Sequence, residues 1–354
     1  MTEGPGYGQY PRFGQSPYGG YRATEAPKPG IIPLRPLSVG EILDGAFSVM
    51  RWNPRATLVP SAIVSAISGV TVAVVTYSLE RDLFTTANVS RQGQLTDGQL
   101  RQFGTSAVSL YAAVAIVSFV ANMILTGILT SVIGQASLGR KETASGAWQA
   151  TRSRLLPLIG AVLLAGLIIV LGWVVAIALS VGIGVLLGAG AHLLPLGILV
   201  GVVAGIAATV FAIVVGIRWS LAIPVVVLER TGPVSALRRS WRLVRGSAWR
   251  VFGILLLSEF IVAVANLILR IPFSLLGGAS SLTGPATSPT VTSTIVSGVG
   301  AIIAGTVTTP VFAGVVVLLY TDLRMRREGM DIALRAASAS PASAPEPPPS
   351  TSAW

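Results

Sequence analysis

The chain lacks cysteine altogether and holds a single histidine, His192. No disulfide framework, thiolate metal site or cysteine nucleophile is available to it. A zinc site needs three or four Cys, His or carboxylate ligands close together, so no metal and no cofactor is expected. Charge is scarce as well: 11% of 354 residues are Asp, Glu, Lys or Arg, against 52% hydrophobic, with mean hydropathy +0.73. A soluble domain carries about 25% charged residues. The charge that exists is one-sided, with 25 basic residues against 14 acidic, and all but Lys28 and Lys141 of the basic ones are arginine. A net charge of +11 is compatible with nucleic acid binding. The arginines flank hydrophobic runs, however, so they read as loop charge beside a membrane and no nucleic acid partner is expected.

Four long stretches hold no Asp, Glu, Lys or Arg: 56–79, 102–139, 155–217 and 271–321. A spanning helix needs about 20 apolar residues. Residues 155–217 would extend roughly 95 Å as one helix, about three hydrocarbon cores. They must therefore fold back, and GAGAHLLP (188–195) is the natural turn. The expected fold is all-α, a polytopic membrane protein of six spans near 57–79, 107–137, 155–187, 196–227, 251–276 and 294–320. Residues 1–36 are rich in Gly, Pro and Tyr, and 336–354 in Ala, Ser and Pro. Both read as disordered tails around a membrane domain at 37–335. No apolar stretch follows the start, so a signal peptide is not expected.

Twenty basic residues fall on one side of these spans. Only Arg81, Arg91 and Arg101 fall on the other. The rich side is expected to be cytoplasmic, with both termini there, in a bacterial plasma membrane.

The segments GAFSVMR (45–51), GAWQATR (146–152) and RSWRLVR (239–245) each place an aromatic four residues before an arginine, and a hydrophobic span follows each. Phe47, Trp148 and Trp241 thus mark three units, each an amphipathic interfacial helix followed by a hairpin of two spans. Ser38 and Glu41 form a capping box for the first such helix. Rings at headgroup depth beside arginines suit anionic lipid. The interfacial candidates are Phe47, Arg51, Trp148, Arg152, Arg238, Arg239, Trp241, Arg242 and Arg245. The basic cluster reads equally as a topology determinant.

Residues 217–257, IRWSLAIPVVVLERTGPVSALRRSWRLVRGSAWRVFGILLL, carry a pattern in Pro224, Glu229, Gly232, Pro233, Ala236, Leu237, Arg239, Ser240, Trp241 and Leu243. This resembles the bacterial glycerophosphoryl diester phosphodiesterase membrane-domain family and the related YciC-like family. The opening PLSVGEILDGAF is similar to actinobacterial members. The resemblance covers roughly 36–330. It implies a membrane protein without the catalytic barrel, whose His, Glu and Asp set has no counterpart here.

Inside the spans, Glu259 and Arg218 stand at similar expected depths from the basic side. They are expected to form an ion pair, which either fixes helix register or belongs to a relay. Gly184 and Gly188, with Gly197, Gly201 and Gly205, follow the four-residue spacing that lets helices pack closely, within the bundle or in a homo-oligomer. No paired carboxylates occur within the spans and no phosphate-binding loop motif is present, so no catalytic residue is assigned. The expected role is that of a non-enzymatic envelope scaffold, engaging membrane lipid headgroups and a membrane or cytoplasmic protein partner. The alternative is a transporter or lipid translocase with a polar path around Arg218 and Glu259, for which Asn122 and Asn266 are the only further candidates.

Overall fold

The computed structural model describes residues 31–33, 35–90, 97–137, 139–187, 194–282 and 291–329. Among them every regular element is a helix. In chain order these are α1 (Val39–Trp52), α2 (Pro54–Ser90), α3 (Asp97–Ser137), α4 (Ala144–Arg152), α5 (Leu155–Leu187), α6 (Leu194–Trp219), α7 (Ala222–Leu228), α8 (Pro233–Val244), α9 (Ala248–Leu282) and α10 (Val291–Glu328). Six segments are long and apolar enough to cross a membrane: Pro54–Leu79, Gly104–Ser137, Leu155–Ser180, Leu199–Leu228, Ala248–Gly278 and Val291–Glu328. Each overlaps one expected span.

Three boundaries differ from expectation for identifiable reasons. Residues 80–90 and 97–106, expected in a loop, continue α2 and α3. No Pro or Gly interrupts 80–90, so nothing stops the hydrogen-bond ladder at the hydrocarbon edge. The fourth span is broken between Trp219 and Ala222. Pro224 lacks the N–H that would bond the carbonyl four residues back, at Ser220, and its ring crowds that carbonyl. Finally, residues 31–36 are not all tail. Ile32 is buried in the core, and the Ile31 N–H donates to the Ala136 carbonyl at 3.4 Å. Tail residues 1–30, 34 and 336–354 lie outside the described residues, as do 330–335 and, between α5 and α6, 188–193.

The starts of α1 and α4 are written in their caps. Ser38 accepts from the Glu41 N–H while Glu41 accepts from the Ser38 N–H, the expected capping box, and Thr143 caps α4 by accepting from the Gly146 N–H. Gly232 precedes α8, and Pro233 occupies its first turn, where a missing N–H costs nothing. Gly246, at φ +84°, turns the chain from α8 into α9, a conformation open to glycine without strain.

The threefold plan is visible in packing. Phe47, Trp148 and Trp241 are 40%, 42% and 37% exposed, and the small residue before each (Ala46, Ala147, Ser240) is buried. Each short helix therefore turns its small residue inward and its ring outward. Each also rests on the second span of the preceding unit: α4 on α3, α8 on α6 and α7, and α1 on α10, which closes the cycle. The cycle is uneven. Spans α2 and α10 pack along much of their lengths, whereas the corresponding junctions α3–α5 and α6–α9 barely touch. The hydrophobic core gathers α1, the second half of α3, α7, α8 and α10. The end of the bundle where the short helices lie is called the basic end below.

Glycine lets α1 and α10 meet. A Cβ on Gly314 would stand 2.9 Å from the Ala46 Cβ and 3.0 Å from its Cα. Backbone cannot swing aside as a side chain would, so Gly314→Ala is expected to cost about 1–3 kcal/mol. Reversible unfolding of the full chain in detergent measures this. An unchanged midpoint would mean that the helices do not approach so closely.

Candidate functional site

Polar side chains cluster at the basic end in two nodes. The first is built on Asp322 of α10, whose side chain is 0% exposed. One carboxylate oxygen accepts the Leu37 N–H at 2.7 Å. Arg250 of α9 approaches at 3.1 Å and Arg326, one turn further along α10, at 2.8 Å. Both arginines also donate to the Leu37 carbonyl, at 2.8 and 2.9 Å. The N–H and C=O of the residue just before the α1 cap are thus both held by side chains from the third unit. This latch closes the cycle between the first and third units, and it satisfies a buried carboxylate that would otherwise be costly.

The second node is built on Glu229, at the end of α7. It receives Arg239 of α8 at 3.0 Å and the Tyr320 hydroxyl of α10 at 2.7 Å, with Arg324 at 3.9 Å. Arg239 and Arg324 both reach Glu328 at the end of α10. Two carboxylates and two guanidinium groups therefore alternate. Next to them Arg327 donates to the Arg245 carbonyl and, at 3.2 Å, to the Ser247 hydroxyl. Such mutually neutralised, hydrogen-bonded groups hold α7, α8 and α10 in register.

The expected Glu259–Arg218 pair is not formed. Arg218 lies over the Trp241 ring, 4.7 Å from its centroid, while Glu259 is exposed on α9 with no ion pair among the described residues. Depth is the reason. Arg218 lines one groove with Ala248, Trp249 and Phe252, and Glu259 lies seven residues beyond Phe252, roughly 10 Å further along the helix. Arg218 also bends toward α8, where Ser240 donates to its carbonyl at 2.7 Å. Nor do the other intramembrane amides join them. Asn266 bonds Thr308 of α10 at 2.9 Å, and Asn122 bonds Ser118 of its own helix.

Arg239, expected at lipid headgroups, is turned inward to Glu229 and Glu328 and is unavailable to them. Arg51 reaches Asp44 at 3.7 Å with both side chains exposed, a contact of little energetic weight. Arg152, Arg238, Arg242 and Arg245 are exposed, as are the three rings. Gly201 and Gly205 are not points of close approach among the described residues, because a Cβ on either meets none of their atoms within 4 Å. The contacts of that kind lie elsewhere, at Gly172 against Phe211 and Gly300 against Phe273. Four-residue spacing identifies a smooth helix stripe without saying that another helix covers it. Gly188 and His192 lie outside the described residues, and so do the surroundings of Gly184 and Gly197.

Both nodes contain residues that the sequence reading did not single out as a site: Asp322, Arg250, Tyr320, Arg324 and Arg326. A signal existed. Asp322 is the first charge after the long apolar run, and Arg326 follows it by four, the spacing of a same-face helix pair.

Of the carboxylates described at this end, all but the exposed Asp44 are held within the fold. Glu41, Asp44, Glu229, Asp322 and Glu328 meet arginines, and Glu142 accepts from the Ser131 hydroxyl at 2.8 Å. Arg55, Arg140, Arg152, Arg238 and Arg242 are left exposed without a carboxylate partner among the described residues, and Lys141 sits over the Trp52 ring at 5.1 Å. A wholly apolar groove of about 680 Å³ opens beside this surface, between α2 and α3, with Trp148 of α4 at its edge. No group of three or more metal-ligating side chains occurs among the described residues.

The family described as Domain of unknown function (DUF7847) matches residues 37–323. No curated protein and no solved structure matches the chain.

Proposed function

We propose, for a chain that belongs to the DUF7847 family, a domain of unknown function, the role of a non-enzymatic envelope scaffold. Its basic end faces the cytoplasm of a bacterial plasma membrane. There it engages anionic headgroups and an acidic protein partner. The observation that carries this reading is the exposed cationic surface formed by Arg55, Arg140, Arg152, Arg238 and Arg242, none of which has a carboxylate partner among the described residues. A surface of one sign attracts anionic leaflets and steers oppositely charged partners. The relation of 217–257 to the glycerophosphoryl diester phosphodiesterase membrane-domain family belongs to the same proposal. Glu229, Arg239, Ser240 and Trp241, among the residues that carry it, build the contacts around α7 and α8.

The alternative, transport, needs a polar path. Arg218, Glu259, Asn122 and Asn266 are not joined to one another by any hydrogen bond or ion pair among the described residues, which weighs against it.

The test is purification of the full chain from native membranes in mild detergent, followed by mass spectrometry of what accompanies it. A protein partner at stoichiometric level is expected. It should be lost in the triple variant Arg152→Glu, Arg238→Glu, Arg242→Glu, whose exposed sites should cost each no more than about 0.5 kcal/mol of stability. Absence of any stoichiometric protein, together with movement of labelled phospholipid between leaflets by the reconstituted chain, would replace the scaffold with the translocase.

A further inference from the structure

We infer that the open seam between α6 and α9 is a binding site for one phospholipid, preferably anionic, drawn from the leaflet on the basic side. It is distinct from the diffuse headgroup contacts proposed above and rests only on the chain being membrane-embedded. Where the equivalent junction α2–α10 is closed by helix packing, α6 and α9 leave a groove of about 350 Å³. Its walls are Val210, Ile213, Val214 and Ile217 on one side and Trp249 and Phe252 on the other.

Three observations say what covers it. The groove is apolar except at one end, where Arg218 stands, stacked on Trp241 and without a carboxylate partner among the described residues. A guanidinium group at the edge of hydrocarbon calls for an anion, and a phosphodiester phosphate offers the geometry it binds well. Depth is the second. From Val210 to Arg218 is roughly 12 Å along a helix, close to the half-thickness of about 15 Å in one leaflet. An acyl chain hanging from a phosphate at Arg218 fills that length. A partner's spanning helix would run about 30 Å and find a wall along less than half of it. The third is Trp249, which is 85% exposed at the same end, where indole rings settle among headgroups. No carboxylate lines the groove to receive the ammonium of a zwitterionic lipid, hence the preference for an anionic one.

The experiment is native mass spectrometry of the full chain, extracted in detergent and offered equal amounts of phosphatidylglycerol and phosphatidylcholine. One phosphatidylglycerol retained per chain is expected. Arg218→Gln should weaken retention about tenfold, the effect of losing one charge-assisted phosphate contact. Val214→Trp, which keeps the arginine and fills the groove, should abolish it. Arg270→Gln, at the far end of α9, should leave it unchanged. Equal retention of both lipids in every variant would show an annular shell only and overturn the site. Retention that survives both Arg218→Gln and Val214→Trp would place the lipid elsewhere, and a lipid-free mass of two chains would assign the seam to a second copy. The scaffold role depends on a protein partner, so its failure and the failure of this site read out separately.

Discussion

Replacing Asp322 with alanine is expected to cost about 3–5 kcal/mol, the usual price of removing one member of a buried ion cluster. Arg250 and Arg326 would be left facing each other around the Leu37 carbonyl, and the Leu37 N–H would lose its acceptor. Since that residue joins the first unit to the third, the defect should release α1 from α10 rather than stay local. Reversible unfolding of the full chain in mixed detergent measures the loss, and protease accessibility around residues 31–38 measures where it acts. Removing the whole cluster tests the cause. Asp322→Leu combined with Arg250→Met and Arg326→Met takes out both signs of charge together, and should recover only the part owed to uncompensated charge, because the Leu37 N–H and C=O stay without partners. If Asp322→Ala costs less than about 1 kcal/mol, the latch does not close the cycle.

Glu229→Ala should be the next most damaging, at about 2–3 kcal/mol. It removes the acceptor for Arg239 and for the Tyr320 hydroxyl at once. The loss is smaller than at Asp322 because Arg239 and Arg324 keep Glu328. A double-mutant cycle of Glu229→Ala with Tyr320→Phe isolates the single contact, with a coupling of about 1 kcal/mol expected. Independent effects of the two substitutions would show that the hydroxyl does not bond the carboxylate.

The spans were legible because hydrocarbon imposes a length and an apolar composition on each crossing, and both are local properties of the chain. Helix α1 was legible for another local reason: Ser38 and Glu41 satisfy each other's backbone within one turn. The aromatic-to-arginine spacing at 47–51, 148–152 and 241–245 carried the repeat, since helix periodicity alone decides that ring and arginine share a face. The candidate site was read only in part. The three rings and Arg152, Arg238 and Arg242 are exposed, as their places on the helix faces suggest. Arg239, in the same run, turns inward because Glu229 and Glu328 approach it from α7 and α10.

What the sequence determined by itself is therefore an all-helical bundle of six spans in three similar units, because crossing a membrane and repeating a unit are constraints written in neighbouring residues. Which charges pair was decided only by tertiary structure. Arg218 and Glu259 look matched when depth is counted along the chain from Glu229 and Arg250, yet α6 and α9 meet too sparsely, and at too shallow a level, to bring them together. Asp322 and Leu37 are 285 residues apart and are joined because the first and last units close the cycle. Sequence separation carries no information on such contacts; packing of α1 against α10 creates them, and burial then makes each one expensive to lose.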